Sequence, residues 1–300
     1  MASLRDLRFR MKAVGQTLQV TGAMNLISTS KLRKGRQVLV DTEPFFNRIQ
    51  KSMCDILAGA GEVQSQFLDT AYRRSRANPA KRKRSAILVI TSDKGLAGGY
   101  NAAIFREVNR MCCESPQTVL ILAGVIGYRY FIHSPHLILE NFSFRSRLPL
   151  MDDAREIAEY IISQYSWGMF DDVRIVYTHM YSPIKLLPTI KQLLPLSEEK
   201  LQEEIAGFGE KKRVSLHFEY MPSEEAVFDA LVPMYVKGVI YGCLVEAYTS
   251  EQSARMTAMD EACKNAREML DAIRLHYNRI RQAGITQEMT EIISGSAALE

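Results

Sequence analysis

The chain has 300 residues, of which 47% are hydrophobic and 24% charged, and its formal net charge is +4. That hydrophobic content is ample for the core of one large domain or of two small ones. No apolar run approaches the roughly 18–20 residues that span a bilayer, and the N-terminus lacks the apolar core and cleavage site of a signal peptide. We therefore expect a soluble, intracellular protein without a transmembrane segment.

The residues that commonly carry chemistry form no catalytic pattern. The five cysteines are scattered and lack any CxxC spacing, so they indicate reduced thiols rather than disulfides or a zinc site. The five histidines are dispersed, and no third metal ligand accompanies the pair His133 and His136. No Ser/His/Asp or Cys/His constellation is recognisable. We expect no catalytic residue, no metal site and no cofactor.

The first predicted element is a helix beginning near Leu4, because apolar residues recur three and four positions apart from there to Leu18. The stretch Ala13–Ser30 carries no charge, and a helix that is apolar on most sides is usually enclosed by protein. One partner helix would not cover it. The helical pattern continues to about Gly59. A basic cluster lies within it, at Lys31, Arg33, Lys34 and Arg36.

The next segment, 61–84, is rich in arginine and lysine from residue 73 onward. A basic run can bind nucleic acid, but more often it is a solvated connection. No base-stacking aromatic residues are interleaved with the charges of residues 73–84, so we favour a linker and expect no nucleic-acid partner.

Over residues 85–220 strands alternate with helices. Two short runs, Ala86–Thr91 and Thr118–Ala123, are apolar and rich in β-branched residues, as in strands covered on both faces, and Val173–Thr178 is a third predicted strand. Helical patterns cover Ala102–Cys113, Gly127–Ile132 and Asp152–Tyr165. Alternation over Arg213–Tyr220 predicts a half-exposed edge strand. This order predicts an inserted, Rossmann-like α/β domain with a mainly parallel sheet.

The loop Ser92–Asn101 follows a strand and precedes a helix, as phosphate-binding loops do. It matches neither GxxxxGK[ST] nor GxGxxG, and its lysine precedes the glycines. We therefore favour a tight turn that presents Asp93 and Lys94 to a protein partner.

The last predicted element is a helix that reaches the C-terminus. Ser223 is a suitable N-cap, and Pro233 predicts a kink or a later true start. The tip at 295–299 is small and apolar, which suits insertion into a surrounding sleeve. We expect an antiparallel coiled coil of the N-terminal helix (1–60) and the C-terminal helix (221–300), with the linker (61–84) and the α/β domain (85–220) inserted.

Four separated motifs, in this order, resemble the gamma subunit of the F-type ATP synthase, and the likeness runs nearly end to end. The motifs are Ala23-Met24 with Ser30–Lys34, Ile90–Leu96 with Gly98–Asn101, Ser250–Met256, and Tyr277-Asn278 through Arg281-Gln282 to Ile285–Glu288 and Glu291-Ile292. Ala97 and Gly295-Ser296 depart from many relatives, which does not affect a mechanical role. The thiol-regulated insertion of chloroplast relatives is absent.

The resemblance implies a non-catalytic central rotor inside a ring of alternating alpha and beta subunits. Such a rotor couples ion flow through the membrane sector to ATP synthesis or hydrolysis on the beta subunits. The resemblance also implies the epsilon subunit and the c-ring as partners. Because the sequence shows no transit peptide, we expect a bacterial protein that is held at the cytoplasmic side of the plasma membrane indirectly, through its partners.

The family's coupling positions fall on Met24, Arg255, Gln287 and Thr290, and the loop with Asp93 and Lys94 matches a stretch that touches a beta subunit. Lys31, Arg33 and Lys34 can attract acidic loops of the ring without locking into one position. Two alternatives stay open: a nucleotide-binding α/β regulatory protein with coiled-coil arms, and a basic scaffold for nucleic acid.

Overall fold

The computed structural model describes residues 4–59, 63–69, 84–115, 117–144, 147–183, 185–197, 201 and 220–297, except the side chains of 295–297. The chain divides into two compact units. The helical unit contains Met1–Thr29 and Arg255–Glu300, and the α/β unit contains Ser30–Ala254.

The described elements, in chain order, alternate between helix and strand up to β4, which is followed by a further strand before the last helix. They are α1 (Leu4–Gly59), β1 (Ser85–Ile90), α2 (Tyr100–Glu114), β2 (Val119–Ala123), α3 (Val125–Phe131), β3 (Leu137–Phe142), α4 (Met151–Ser166), β4 (Asp172–Met180), β5 (Leu186–Leu194) and α5 (Glu224–Ala297).

The five strands form one sheet in the order β3-β2-β1-β4-β5. Strands β3, β2, β1 and β4 are parallel, whereas β5 is an antiparallel edge strand. Every residue of β1 is buried, as expected for a central strand with helices on both faces. The predicted α/β fold with a mainly parallel sheet is confirmed.

Alternate residues of β1 point into two separate parts of the core. Ile87 and Val89 pack with α2 and α3, where Ile104 and Val108 are fully buried. Ala86, Leu88 and Ile90 pack on the opposite face with α4 and with segments of α1 and α5. The terminal helices of the α/β unit therefore form one layer of its core.

Within the α/β unit, α1 and α5 approach each other closely at two glycines. A Cβ atom at Gly35 would overlap the methyl group of Thr249, and one at Gly238 would overlap the Phe46 ring. The partner number on α5 falls as the number on α1 rises, so the two helices run antiparallel.

The helical unit shows the same antiparallel pairing. Arg8 Nε donates a 2.9 Å hydrogen bond to Tyr277 Oη, and Asn25 Nδ2 lies 3.4 Å from the Met256 carbonyl oxygen. Between these levels Cys263 Sγ is 3.1 Å from Thr21 Oγ1. The predicted packing of the N-terminal helix against the C-terminal helix is confirmed.

Several predicted elements occur with shifted ends. One predicted helix start is wrong, and two strands of the sheet were not predicted. The helix α5 begins at Glu224, where Ser223 Oγ accepts a hydrogen bond from Ala226 N at 3.2 Å, so a later start at Pro233 is wrong. Strands β3 and β5 were not predicted. The expected strand Arg213–Tyr220, most of the basic linker and the apolar tip lie outside the residues and side chains that the structure describes.

The expectation about apolar runs needs a correction. Helix α5 contains an 18-residue window of mean hydropathy 1.4, which by length and composition alone could cross a membrane. Half of that window is buried inside the protein. Val232, Val236, Ile240 and Leu244 of α5 belong to the core, so packing against the α/β unit accounts for this apolar character.

Candidate functional site

The loop after β1 is held by hydrogen bonds from both sides. Asp93 Oδ1 accepts a 3.1 Å hydrogen bond from Val125 N and thereby caps the first turn of α3. Asn101 bridges the start of the loop, accepting from Ser92 N at 3.1 Å and donating to Ser92 Oγ at 2.7 Å. Asp93 is therefore half-buried and turned toward α3, whereas Lys94 is exposed.

The tip of the same loop has an unusual backbone. Leu96 has a φ of 64° although it is not glycine, and its side chain is 62% exposed. A bulky residue in the left-handed region is uncommon and signals a constraint beyond local preference. Buried Ala97 anchors the turn, and its carbonyl oxygen accepts from Tyr100 N at 3.2 Å. The loop thus presents Lys94 and Leu96 on a fixed support.

The strand order reverses between β1 and β4: β2 and β3 lie on one side of β1 in the sheet, and β4 and β5 lie on the other. In open α/β sheets, ligands bind in a crevice at the carboxyl ends of such a strand pair. Here a segment of α5 occupies that place: Ser250 Oγ donates to the Thr178 carbonyl oxygen at 2.9 Å, and Tyr100 Oη donates to the Ala247 carbonyl oxygen at 3.1 Å. The chain's own helix lies where a nucleotide would, which disfavours the nucleotide-binding alternative.

A half-buried acid in α5 faces the end of β4. Glu246 pairs with His179, and burial raises the pKa of Glu246 above its ordinary value despite His179, the Met180 backbone N–H and the Tyr177 hydroxyl. Burial also raises the pKa of Tyr177 strongly. This cluster was not predicted, although an acid within the most apolar part of α5 is itself a signal of a partner in the fold.

A cavity of about 370 Å³ lies beside Glu246, between α1, α5, β4 and β5. Its lining includes Phe46, Tyr235 and Gly242 together with the charged residues Glu43 and Lys191. A Cβ atom at Gly242 would meet no other atom within 4 Å, so this position opens onto free space.

The predicted basic cluster lies on α1 within the α/β unit. Arg33, Lys34 and Arg36 are exposed and Lys31 is half-buried, whereas their neighbours Leu32 and Gly35 are buried. The helix thus turns its apolar side inward and presents its cations to solvent.

The four coupling positions of the resemblance lie in the helical unit at two separate levels. Met24 and Arg255 lie at one level, because their chain neighbours Asn25 and Met256 are joined by a hydrogen bond. Met24 is half-buried, and Arg255 is 9% exposed. Gln287 and Thr290 lie roughly 50 Å further along α5 at 1.5 Å per residue.

Both distal residues are exposed. Gln287 Nε2 donates to Glu291 Oε1 at 3.0 Å, and Thr290 Oγ1 donates to the Thr286 carbonyl oxygen at 2.8 Å. The structure therefore brings together the first pair of coupling positions but not all four.

Large apolar side chains are exposed on both helices of the helical unit. They are Phe9, Val20, Leu26 and Ile27 on α1 and Met269, Leu275, Ile285, Met289, Ile292 and Ile293 on α5. Leu26 and Ile292 are 73% and 72% exposed. Large apolar side chains exposed at adjacent positions, as at Leu26 with Ile27 and at Ile292 with Ile293, favour an interaction site.

Comparison with known proteins identifies the family. Residues 3–299 match a family model described as ATP synthase. The ATP synthase gamma chain of Ruminiclostridium cellulolyticum is 42% identical over 299 residues, which cover 99% of each chain. That of Acetivibrio thermocellus is 38% identical over 301 residues and the full length of both chains.

The chain belongs to the ATP synthase gamma chain family. Among solved structures, a chain of the Euglena gracilis mitochondrial ATP synthase (OSCP/F1/c-ring) has a TM-score of 0.66 at 16% identity, covering 99% of this chain and 94% of that one. A chain of the Tetrahymena thermophila central stalk and c-ring has a TM-score of 0.57 at 23% identity, covering 81% of this chain and 99% of that one. These two similarities establish that the gamma-chain fold is shared.

Proposed function

We propose that this chain is the central rotor of an F-type ATP synthase, turning inside a ring of three alpha and three beta subunits. It couples ion flow through the membrane sector to ATP synthesis or hydrolysis on the beta subunits. The observation that carries the proposal is the exposed apolar surface of the helical unit, because only a surrounding partner could cover side chains on both helices.

The mechanism follows from differential contacts. An asymmetric rotor in a threefold ring touches each beta subunit differently, so it favours an open site in one and a closed site in another. Turning the rotor therefore changes the nucleotide affinities in sequence, and occupancy of the sites drives rotation by the same reciprocity. The chemistry takes place on the beta subunits, and this chain itself is not catalytic.

The candidate residues take three roles in this mechanism. Met24, Arg255, Gln287 and Thr290 lie in the helical segments that the ring encloses. Lys31, Arg33 and Lys34 attract acidic loops of the ring through interactions that extend over a Debye length. Lys94 contacts a beta subunit, and Asp93 holds the loop from which Lys94 projects, as its hydrogen bond to Val125 N supports.

The remaining partners and the cellular place are part of the same proposal. We infer that the epsilon subunit and the c-ring bind this chain and that it is peripheral to the membrane at the cytoplasmic side of a bacterial plasma membrane. The domain organisation proposed with it is a coiled coil of 1–60 and 221–300, a basic linker at 61–84 and an inserted α/β domain at 85–220.

Co-purification tests the proposal. The chain is co-expressed with alpha and beta subunits of a bacterial ATP synthase, with the affinity tag on beta. We expect a stoichiometric complex with ATPase activity, in which a bead attached to this chain rotates during ATP hydrolysis. A ring that forms without the chain, or a bound chain that stays still while ATP is hydrolysed, would overturn the proposal. Micromolar ATP binding by the isolated chain would instead support the regulatory alternative.

A further inference from the structure

One face of α5 is joined to the end of β4 over two turns of helix. Glu246, Ser250 and Ser253 are four and three residues apart, so they project from the same side of the helix. Glu246 pairs with His179, Ser250 Oγ donates to the Thr178 carbonyl oxygen, and Ser253 Oγ donates to the Pro183 carbonyl oxygen at 3.0 Å. The partners of this face therefore lie near the end of β4 and in the turn that follows β4.

Two other elements contact the same two turns from different directions. The Ala247 carbonyl oxygen accepts the hydrogen bond of Tyr100, which begins α2 directly after the loop that carries Lys94. Thr249 is fully buried, and its methyl group lies against Gly35 of α1, where a Cβ atom has no room. Residues 246–253 are thus enclosed by β4, α2 and α1.

Burial of polar groups shows that this contact is closely fitted. Thr249, Ser250 and Ser253 have no exposed surface. Buried hydroxyl groups are retained in a protein only where hydrogen bonds replace those to water. Thr249 Oγ1 donates to the Glu246 carbonyl oxygen at 2.8 Å, and the two serines donate to the carbonyl oxygens of Thr178 and Pro183.

We infer that residues 246–253 of α5 form a torque clamp, the segment at which β4, α2 and α1 resist rotation of α5 about its own axis. This inference rests on the proposed rotor function. A helix turned about its own axis moves its side chains sideways, and here they meet β4, α2 and α1 on different sides. The hydrogen bonds of Tyr100, Ser250 and Ser253 act as positioning contacts that oppose this turning.

The contrast with a ligand-binding α/β domain explains why the clamp lies at this place. In open α/β sheets, ligands bind outside the carboxyl ends of the strands at the point where the strand order reverses. In this chain Ser250 bonds the Thr178 carbonyl oxygen near the carboxyl end of β4, and Ser253 bonds the Pro183 carbonyl oxygen in the turn after it, so the place of a ligand is taken by a contact within the chain.

The test uses the assembled complex of this chain with alpha and beta subunits. A bead is attached through exposed Cys113 of α2, in a ring whose own exposed cysteines are replaced. The angular variance of the stalled bead then reports torsional stiffness. The triple variant Tyr100→Phe, Ser250→Ala and Ser253→Ala removes three hydrogen bonds without adding bulk. We expect at least a twofold larger variance, with ATPase activity of the unloaded complex unchanged within about twofold.

A matched control carries the same chemical changes away from α5. Tyr130→Phe, Ser134→Ala and Ser163→Ala remove the acceptor of Asn109 and two local serine hydrogen bonds in the same unit. This control should keep the wild-type variance. If the clamp variant does not assemble, its three single variants are measured, and each should give part of the increase.

The outcomes separate this inference from the function on which it rests. A wild-type complex that does not rotate contradicts the rotor function. A wild-type complex that rotates, with clamp variants as stiff as the matched control, contradicts the clamp alone. A clamp variant that loses ATPase activity as far as it loses stiffness also overturns the inference, because that pattern indicates general unfolding.

Discussion

At the scale of single residues, two glycine positions in the α/β unit have opposite surroundings. Alanine at Gly35 would force its methyl group into buried Thr249, whereas alanine at Gly242 would enter free space beside the cavity. Both changes gain about 1 kcal/mol of helix propensity, and overpacking at Gly35 costs about 1–3 kcal/mol.

We therefore expect Gly242→Ala to raise the free energy of unfolding and Gly35→Ala to leave it about 1–3 kcal/mol below that of Gly242→Ala. Urea denaturation of the full chain followed by circular dichroism measures both. Equal shifts for the two variants would show that the close approach of α1 to α5 carries no cost.

Asp93 illustrates how tertiary structure assigns a role that the sequence only suggests. Asp93→Asn keeps an oxygen that can accept from Val125 N, whereas Asp93→Ala loses it. We expect the alanine variant to lose about 0.5–2 kcal/mol of stability and the asparagine variant to lose little. Thermal denaturation compares the two, and similar losses would indicate that the charge, rather than the acceptor, holds the loop.

At the scale of elements, the pair between β4 and α5 makes stability depend on pH. The folded-state pKa of Glu246 is raised, chiefly by burial, so ionisation of Glu246 costs more in the folded chain than in the unfolded chain. This contribution to stability is lost as pH rises from the unfolded value of about 4.3 through the raised folded value. The groups facing Glu246 are His179 and Tyr177 on β4, with Glu43 and Lys191 lining the adjacent cavity.

Glu246→Gln removes the titration while keeping hydrogen-bonding atoms. We expect the stability of the wild-type chain relative to this variant to fall as pH rises above about 4. Urea midpoints for both proteins at several pH values measure the difference, and a relative stability that rises with pH would contradict the sign of the pKa shift.

The elements that the sequence predicted are those with a simple pattern. Strand β1 was recognisable as a short, wholly apolar run, and helices α2 and α4 were recognisable because their burial repeats with the helical period. Strands β3 and β5 lie at the sheet edges, and β5 contains Pro188, which lowers the strand signal. Their pairing depends on neighbouring strands and not on their own residues.

The candidate site was predictable to a similar degree. The uncharged stretch of α1 correctly indicated side chains that one helix would not cover, and Leu26 and Ile27 are exposed. The direction of Asp93 was not predictable, because its partner Val125 lies 32 residues away. The same holds for Ser250 and Thr178, which are 72 residues apart in the chain.

At the scale of the whole molecule, one helix, α5, carries residues of opposite exposure that are proposed to serve one function. Residues 246–253 are built into the α/β unit, whereas Gln287 and Thr290 face solvent in the helical unit. A helix can link an enclosed segment to a free surface because its backbone hydrogen bonds are satisfied along its own length. This continuity allows twist at one end to become a change of contacts at the other.

Separate substitutions at two of the coupling positions, exposed Gln287 and buried Arg255, test whether exposed and enclosed residues of α5 have different roles. Gln287 is exposed and pairs only locally with Glu291, so Gln287→Ala should leave folding and assembly intact and lower the number of ions pumped per ATP hydrolysed. Arg255 is buried, so Arg255→Ala should lower the stability of the chain as well as coupling. The double variant should couple less well than either single variant while the complex survives.

Inverted membrane vesicles containing the complete complex measure ATP hydrolysis and ion pumping together, and the fraction of assembled complex is determined in parallel. Glu288→Gln serves as the control at an exposed position next to Gln287. Unchanged pumping per ATP in the double variant would contradict the coupling role of both residues. A loss confined to Arg255→Ala, matched by a loss of assembled complex, would assign Arg255 to folding and leave Gln287 without a role in rotation.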